Sequence, residues 1–205
     1  MTSMHRDGKF RQGRRRLIGT IASAPLLVIG GNLYAAASGR IAPTPECRDD
    51  DEPTPRQTEG PYFRSESPQR QRLREPGMAG RPLAVSGIVL SRACIPIAGA
   101  KLDFWQCDHR GDYDNRGFGL RGHQFTDAEG RYFLETIEPA LYPGRTRHIH
   151  VKVQAPQQRV LTTQLYFPGE PHNQRDRIFD SRTLLDMAQE PSGLRGRFDF
   201  VLAIG

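Results

Sequence analysis

The chain has 205 residues, 37% hydrophobic and 25% charged, with 21 Gly and 16 Pro, enough for one globular domain plus extensions. So many turn-formers, with little Ala/Leu periodicity, favour short strands over long helices. The formal net charge of +6 sits mostly in residues 1–37, where six bases (Arg6, Lys9, Arg11, Arg14, Arg15, Arg16) face one acid, Asp7; the rest is near neutral, so the basicity belongs to that stretch and gives no sign of a nucleic-acid surface.

Residues 1–37 read as a signal peptide. A basic stretch ends in Arg14-Arg15-Arg16, an apolar run follows from Leu17 to Ile29, and the small residues Ala35-Ala36-Ala37 offer a cleavage site. The paired arginines before Leu17-Ile18 resemble a twin-arginine export signal. The expected location is outside the cytoplasm, periplasmic, with a membrane tether only if this leader is retained. Residues 38–60, rich in Pro, Asp, Glu and Thr, read as an extended arm, and 61–205 as the folded domain.

Strand signals follow in series. Leu83–Leu90 is the first, and Ala100–Gln106 alternates apolar and polar residues at period two. Asp127-Ala128-Glu129-Gly130 reads as the turn of a hairpin joining Gln124–Thr126 to Arg131–Glu135. His148–Val153, Leu161–Phe167 and Arg197–Leu202 complete the set, with 177–190 as a short helix or an irregular loop. Strands at this spacing without an amphipathic helix predict an all-β fold, an antiparallel β-sandwich with long loops. In an oxidising compartment Cys94 and Cys107, which flank one strand, are the expected disulfide among Cys47, Cys94 and Cys107.

Within His148–Val153, alternation sends Ile149, Val151 and Val153 to the core and His148, His150 and Lys152 to the other face. Two imidazoles a two-residue step apart can meet one metal ion. Alone, that pattern is more often just a polar surface. Tyr142 lies in the turn-prone stretch before this strand, and Tyr113 in the loop past Trp105. A phenol titrates near pH ~10, so it binds metal at neutral pH only through a strong Lewis acid. Ferric iron is one, whereas zinc prefers Cys, His and carboxylate.

With these residues in place, the chain resembles the intradiol ring-cleavage dioxygenases. The matching stretches are Gln57–Phe63, Asp103–Asp108 with Gly111-Asp112-Tyr113, Thr126-Asp127 with Gly130, Thr136-Ile137, Leu141–His150 and Thr163–Phe167. The resemblance implies one Fe(III) per chain, held by Tyr113, Tyr142, His148 and His150, with Tyr142 displaced by substrate. It further implies Arg145 over the bound ring and Gln164 near the oxygen site. The implied partners are a small aromatic diol and O2, the product a muconate-type diacid, and no reductant is needed. Arg147 stands where the family often has an apolar residue, so either Arg145 or Arg147 could face substrate. Arg64, Arg110, Arg116 and Arg121 are candidates to greet an acidic catechol. Two other readings remain: an exported sandwich that binds metal or carbohydrate without catalysis, and a copper or zinc protein using His148 and His150 with His109, His123 or His172.

Overall fold

The structure, a computed structural model, describes residues 52–205. The expected leader and Cys47 lie outside the described residues. Among the described residues nine strands form: β1 (Pro82–Ser91), β2 (Lys101–Trp105), β3 (Arg121–Phe125), β4 (Arg131–Ile137), β5 (His148–Gln154), β6 (Leu161–Tyr166), β7 (Asp186–Glu190), β8 (Gly193–Arg197) and β9 (Phe200–Leu202). Two short 3-10 turns, Asn173–Arg175 and Ser181–Thr183, lie between β6 and β7.

The strands make the expected β-sandwich. One sheet has the order β3-β2-β5-β6, antiparallel throughout. The other has the order β4-β1-β8-β7, with β9 continuing beside the second half of β1. Here β1 pairs parallel with both β8 and β9, a departure from a purely antiparallel arrangement. The core lies between the sheets, where Val85 and Leu134 meet Leu102, Phe104, Ile149, Val151, Val153 and Leu165, all essentially inaccessible. Burying a side chain of this size contributes about 1.5–3 kcal/mol.

Three expectations need correction. Asp127–Gly130 is a turn, with Asp127 Oδ1 accepting from the Glu129 and Arg131 N–H groups, but it does not close a hairpin: β3 pairs with β2, and β4 with β1 in the opposite sheet. Segment 177–190 holds the short 3-10 turn Ser181–Thr183, in keeping with the expected short helix, but also the edge strand β7. The strand expected over Arg197–Leu202 is split. At the break the Phe198 carbonyl comes so close to Gly87 that a Cβ there would sit 1.7 Å from it, while the Asp199 carboxylate accepts from the Ile88 N–H at 2.9 Å. Glycine at 87 therefore admits the kink.

Cys94 and Cys107 are both free. Cys94 occupies the turn after β1 at φ 60, and Cys107 follows β2, its thiol donating to the Ala140 carbonyl at 3.4 Å. The five residues of β2 stand between them, a strand length of roughly 17 Å, far beyond the ~7 Å Cα separation a disulfide tolerates.

Candidate metal centre

Strand β5 fixes the two histidines. Ile149, Val151 and Val153 fill the core, and His148 and His150 point to the other face. That face is covered too: the histidines are only 2% and 1% exposed. Their Nε2 atoms stand 3.0 Å apart with the rings at 79°. Two nitrogens bound at about 2.0–2.1 Å to one ion, at near a right angle, are separated by about that distance. Two facing lone pairs need a proton or a cation between them. Burial, reinforced by the Arg145 charge, pushes His148 down to about 4, and burial followed by the charge of His148 holds His150 well below the usual histidine range. Both rings therefore rest neutral, as ligands must. The Thr146 carbonyl, 2.6 Å from His148 Nδ1, takes the proton there and leaves Nε2 free. His150 is stacked on Trp105, centroids 4.8 Å apart and planes at 6°. On its other edge Gly60, at φ +71, approaches so that a Cβ would lie 3.4 Å from Cε1.

Two loops bring in the tyrosines. The Tyr113 ring lies 5.8 Å from that of Tyr142 and 6.2 Å from His150, and Tyr142 lies 5.5 Å from His148. Tyr62 stacks on Tyr113 at 4.3 Å, and the Arg121 guanidinium stands 5.9 Å from the Tyr113 ring centroid. Arg121 is 1% exposed and donates to the carbonyls of Asp114 and Tyr62, so it holds the loop rather than greeting a ligand. The other three arginines are likewise engaged or turned outward. Arg64 donates to the Gly117 carbonyl, Arg110 pairs with Asp108 and Asp112, and Arg116 is exposed.

The Tyr113 hydroxyl is buried with no hydrogen-bond partner among the described residues, which is costly for a phenol unless something else binds its oxygen. Burial raises Tyr113 far above an ordinary phenol; it also raises Tyr142, less so because Arg145 favours the phenolate. Neither loses its proton at neutral pH without a strong cation. Two phenols and two neutral imidazoles gathered side by side, one phenol oxygen without a partner among the described residues, are a donor set that fits a ferric ion. No hydrogen bond or ring contact joins His109, His123 or His172 to either histidine of the pair; His123 bonds to Ser67 and His172 to Glu170.

Arg145 faces this centre. Its Nη1 donates to the Tyr142 hydroxyl at 3.1 Å, Nη2 to Gln164 Oε1 at 2.5 Å, and Nε to Asp176 Oδ2 at 2.9 Å. Gln164, fully buried, is oriented by donating from Nε2 to the Thr58 carbonyl at 3.0 Å and by accepting the Tyr166 hydroxyl at 3.0 Å. Arg147 turns elsewhere, to the Pro139 carbonyl and toward Glu138 and Glu170 at 3.8 and 3.5 Å. Strand β5 starts only at His148, so alternation does not govern residue 147. Sequence reasoning did not single out Asp176, Tyr166 or the stacking role of Tyr62. Tyr62 and Tyr166 were within reach, since they sit in the Gln57–Phe63 and Thr163–Phe167 stretches; an aspartate in a long loop carries no such mark.

A dioxygenase family model matches residues 58–203. The chain is similar to catechol 1,2-dioxygenase 2 of Acinetobacter lwoffii, 32% identical over 63% of this chain and 56% of that protein. It is also similar to the protocatechuate 3,4-dioxygenase beta chain of Burkholderia cepacia, 32% identical over 60% of this chain and 65% of that one. Among solved structures, the dioxygenase domain of a dioxygenase carbohydrate-binding protein fusion from the cellulolytic bacterium Streptomyces sp. SirexAA-E superposes with a TM-score of 0.74. That pair is 56% identical, covering 75% of this chain and all of that one. The fold and site thus define a dioxygenase-type β-sandwich. The chain belongs to the intradiol ring-cleavage dioxygenase family. It spans about half the length of the first curated relatives it matches.

Proposed function

We propose that this protein is an Fe(III)-dependent intradiol dioxygenase that opens a catechol-type ring with O2, giving a muconate-type diacid. The convergence of His148, His150, Tyr142 and the unpartnered Tyr113 hydroxyl carries this reading. Bound there, ferric iron would chelate the deprotonated diol and draw electron density from its ring, opening it to O2. Tyr142 would help hold the ion and, as its phenolate, is placed to take up one of the two diol protons, the other passing to hydroxide or water. A cavity of about 450 Å³ lies beside Tyr142 and Arg145, lined also by Thr146 and Asp176. Arg145 places a fixed cation where negative charge develops on the ring, worth most in a site shut off from water. Gln164 and Tyr166 keep that cation in register. The double-arginine leader supports delivery of the folded protein to the periplasm.

The test is iron content with a visible spectrum, before and after anaerobic addition of catechol. One ferric ion per chain, a tyrosinate band, and a shift to longer wavelength on catechol binding are expected. A protein that stays colourless after Fe(III) reconstitution would make it a binding module.

A further inference from the structure

Asp176 lies on the long loop between β6 and β7, and its side chain is 2% exposed. Each oxygen is used. Oδ2 accepts Arg145 Nε and the Thr146 N–H, both at 2.9 Å, and Oδ1 accepts the Ile178 N–H at 3.1 Å. Burial alone would raise this carboxyl, but the backbone donors and Arg145 more than offset it and hold it below the usual carboxylate range.

The pattern is selective. By taking only Nε of Arg145, the carboxylate leaves Nη1 and Nη2 free and sets the guanidinium plane so that they reach Tyr142 and Gln164. The same oxygen pins the Thr146 N–H, and the carbonyl of Thr146 receives the His148 Nδ1 proton. Asn173, three residues upstream, accepts the Thr146 hydroxyl at 2.6 Å and donates to the Phe167 carbonyl at 2.8 Å, so the loop grips Thr146 at two points. We propose that Asp176 is the positioning residue of this centre, aligning the Arg145 cation with the bound ring and fixing the backbone that orients His148. This assignment rests on the dioxygenase reading. Groups that orient a metal ligand or a catalytic cation typically cost about 10–100-fold when altered, and a displacement of about 1 Å can cost 10²-fold by itself.

The test compares wild type, Asp176→Asn, Arg145→Ala and the double variant for iron content, visible band, anaerobic catechol affinity, kcat and KM. Asp176→Asn should keep its iron and its tyrosinate band, bind catechol within a few-fold of wild type, and lose kcat by about 10–100-fold. The double variant should lose far less than the product of the two single losses, because most of the Asp176 effect runs through Arg145 and only its hold on Thr146 remains to be lost. Should Asp176→Asn not fold, Asp176→Glu keeps the charge but moves the anchor, and its kcat should fall with iron retained. An unimpaired kcat in the folded variant, or losses that multiply in the double variant, would overturn the assignment while leaving the dioxygenase reading intact. A wild-type protein that does not turn over catechol would overturn both.

Discussion

Replacing Arg145 by alanine, with Arg147→Ala beside it, separates a working cation from a bystander two residues away. Arg145 spends all three donor groups on Asp176, Gln164 and the Tyr142 hydroxyl. Removing one partner of a buried pair commonly costs 3–5 kcal/mol. Asp176 would still hold the Thr146 and Ile178 N–H groups, so about 2–3 kcal/mol is the expected loss of stability. In a domain of this size that lowers Tm by roughly 5–10 °C. Losing a fixed charge aimed at a developing anion should cut kcat by about 10²–10³. The Arg147 side chain, 23% exposed, has acidic partners at 3.5 and 3.8 Å, pairs worth about 1 kcal/mol or less, so Arg147→Ala should leave kcat unchanged. Oxygen uptake with catechol, thermal unfolding and iron analysis on both variants decide the matter. If Arg147→Ala loses turnover and Arg145→Ala keeps it, the placement of the cation is wrong.

Trp105→Ala removes the plane on which His150 is stacked; it should cost about 3–5 kcal/mol and weaken iron retention, whereas Trp105→Phe should hold most of both, read by unfolding and iron content. Asp114 accepts the N–H groups of Arg116, Gly117 and Gly119, and these bonds lower its carboxyl to about 2. With its folded value depressed, the stabilisation is present above the ordinary carboxylate range and lost as pH falls toward 2. Wild type and Asp114→Asn should therefore differ in Tm at pH 6 and converge in acid; a constant difference across that range would contradict this. Of the two described thiols, Cys94 should react with a thiol reagent in the native protein, while Cys107 should react only on unfolding. Burial first, and then the neighbouring Asp108 charge, push Cys107 up to about 11. Rapid labelling of Cys107 in native protein would refute its burial.

Legibility followed the physics of each segment. Strand β5 was readable because one face is wholly aliphatic and its histidines occupy the alternate positions. Tyr113 and Tyr142 beside it then pointed to the proposed ferric centre, since two phenols suit few ions other than ferric iron. Strand β7 was not readable: Asp186–Glu190 is polar and largely exposed at a sheet edge, so it has no apolar alternation to detect. The turn at Asp127–Gly130 was read correctly as local chemistry, yet which strands it serves depends on partners distant in sequence. The same holds for Asp176, whose significance arises only when its loop meets Arg145 and Thr146. Arg147 was ambiguous because its direction depends on the strand's first residue, one position away.

The most direct test of the central claim is to supply catechol and 18O2 to the iron-loaded protein and take the mass of the product. The account predicts a muconate-type diacid carrying both oxygen atoms from O2, formed without added reductant. A ring-opened aldehyde, label in only one position, or no oxygen uptake by a protein holding ferric iron would contradict it.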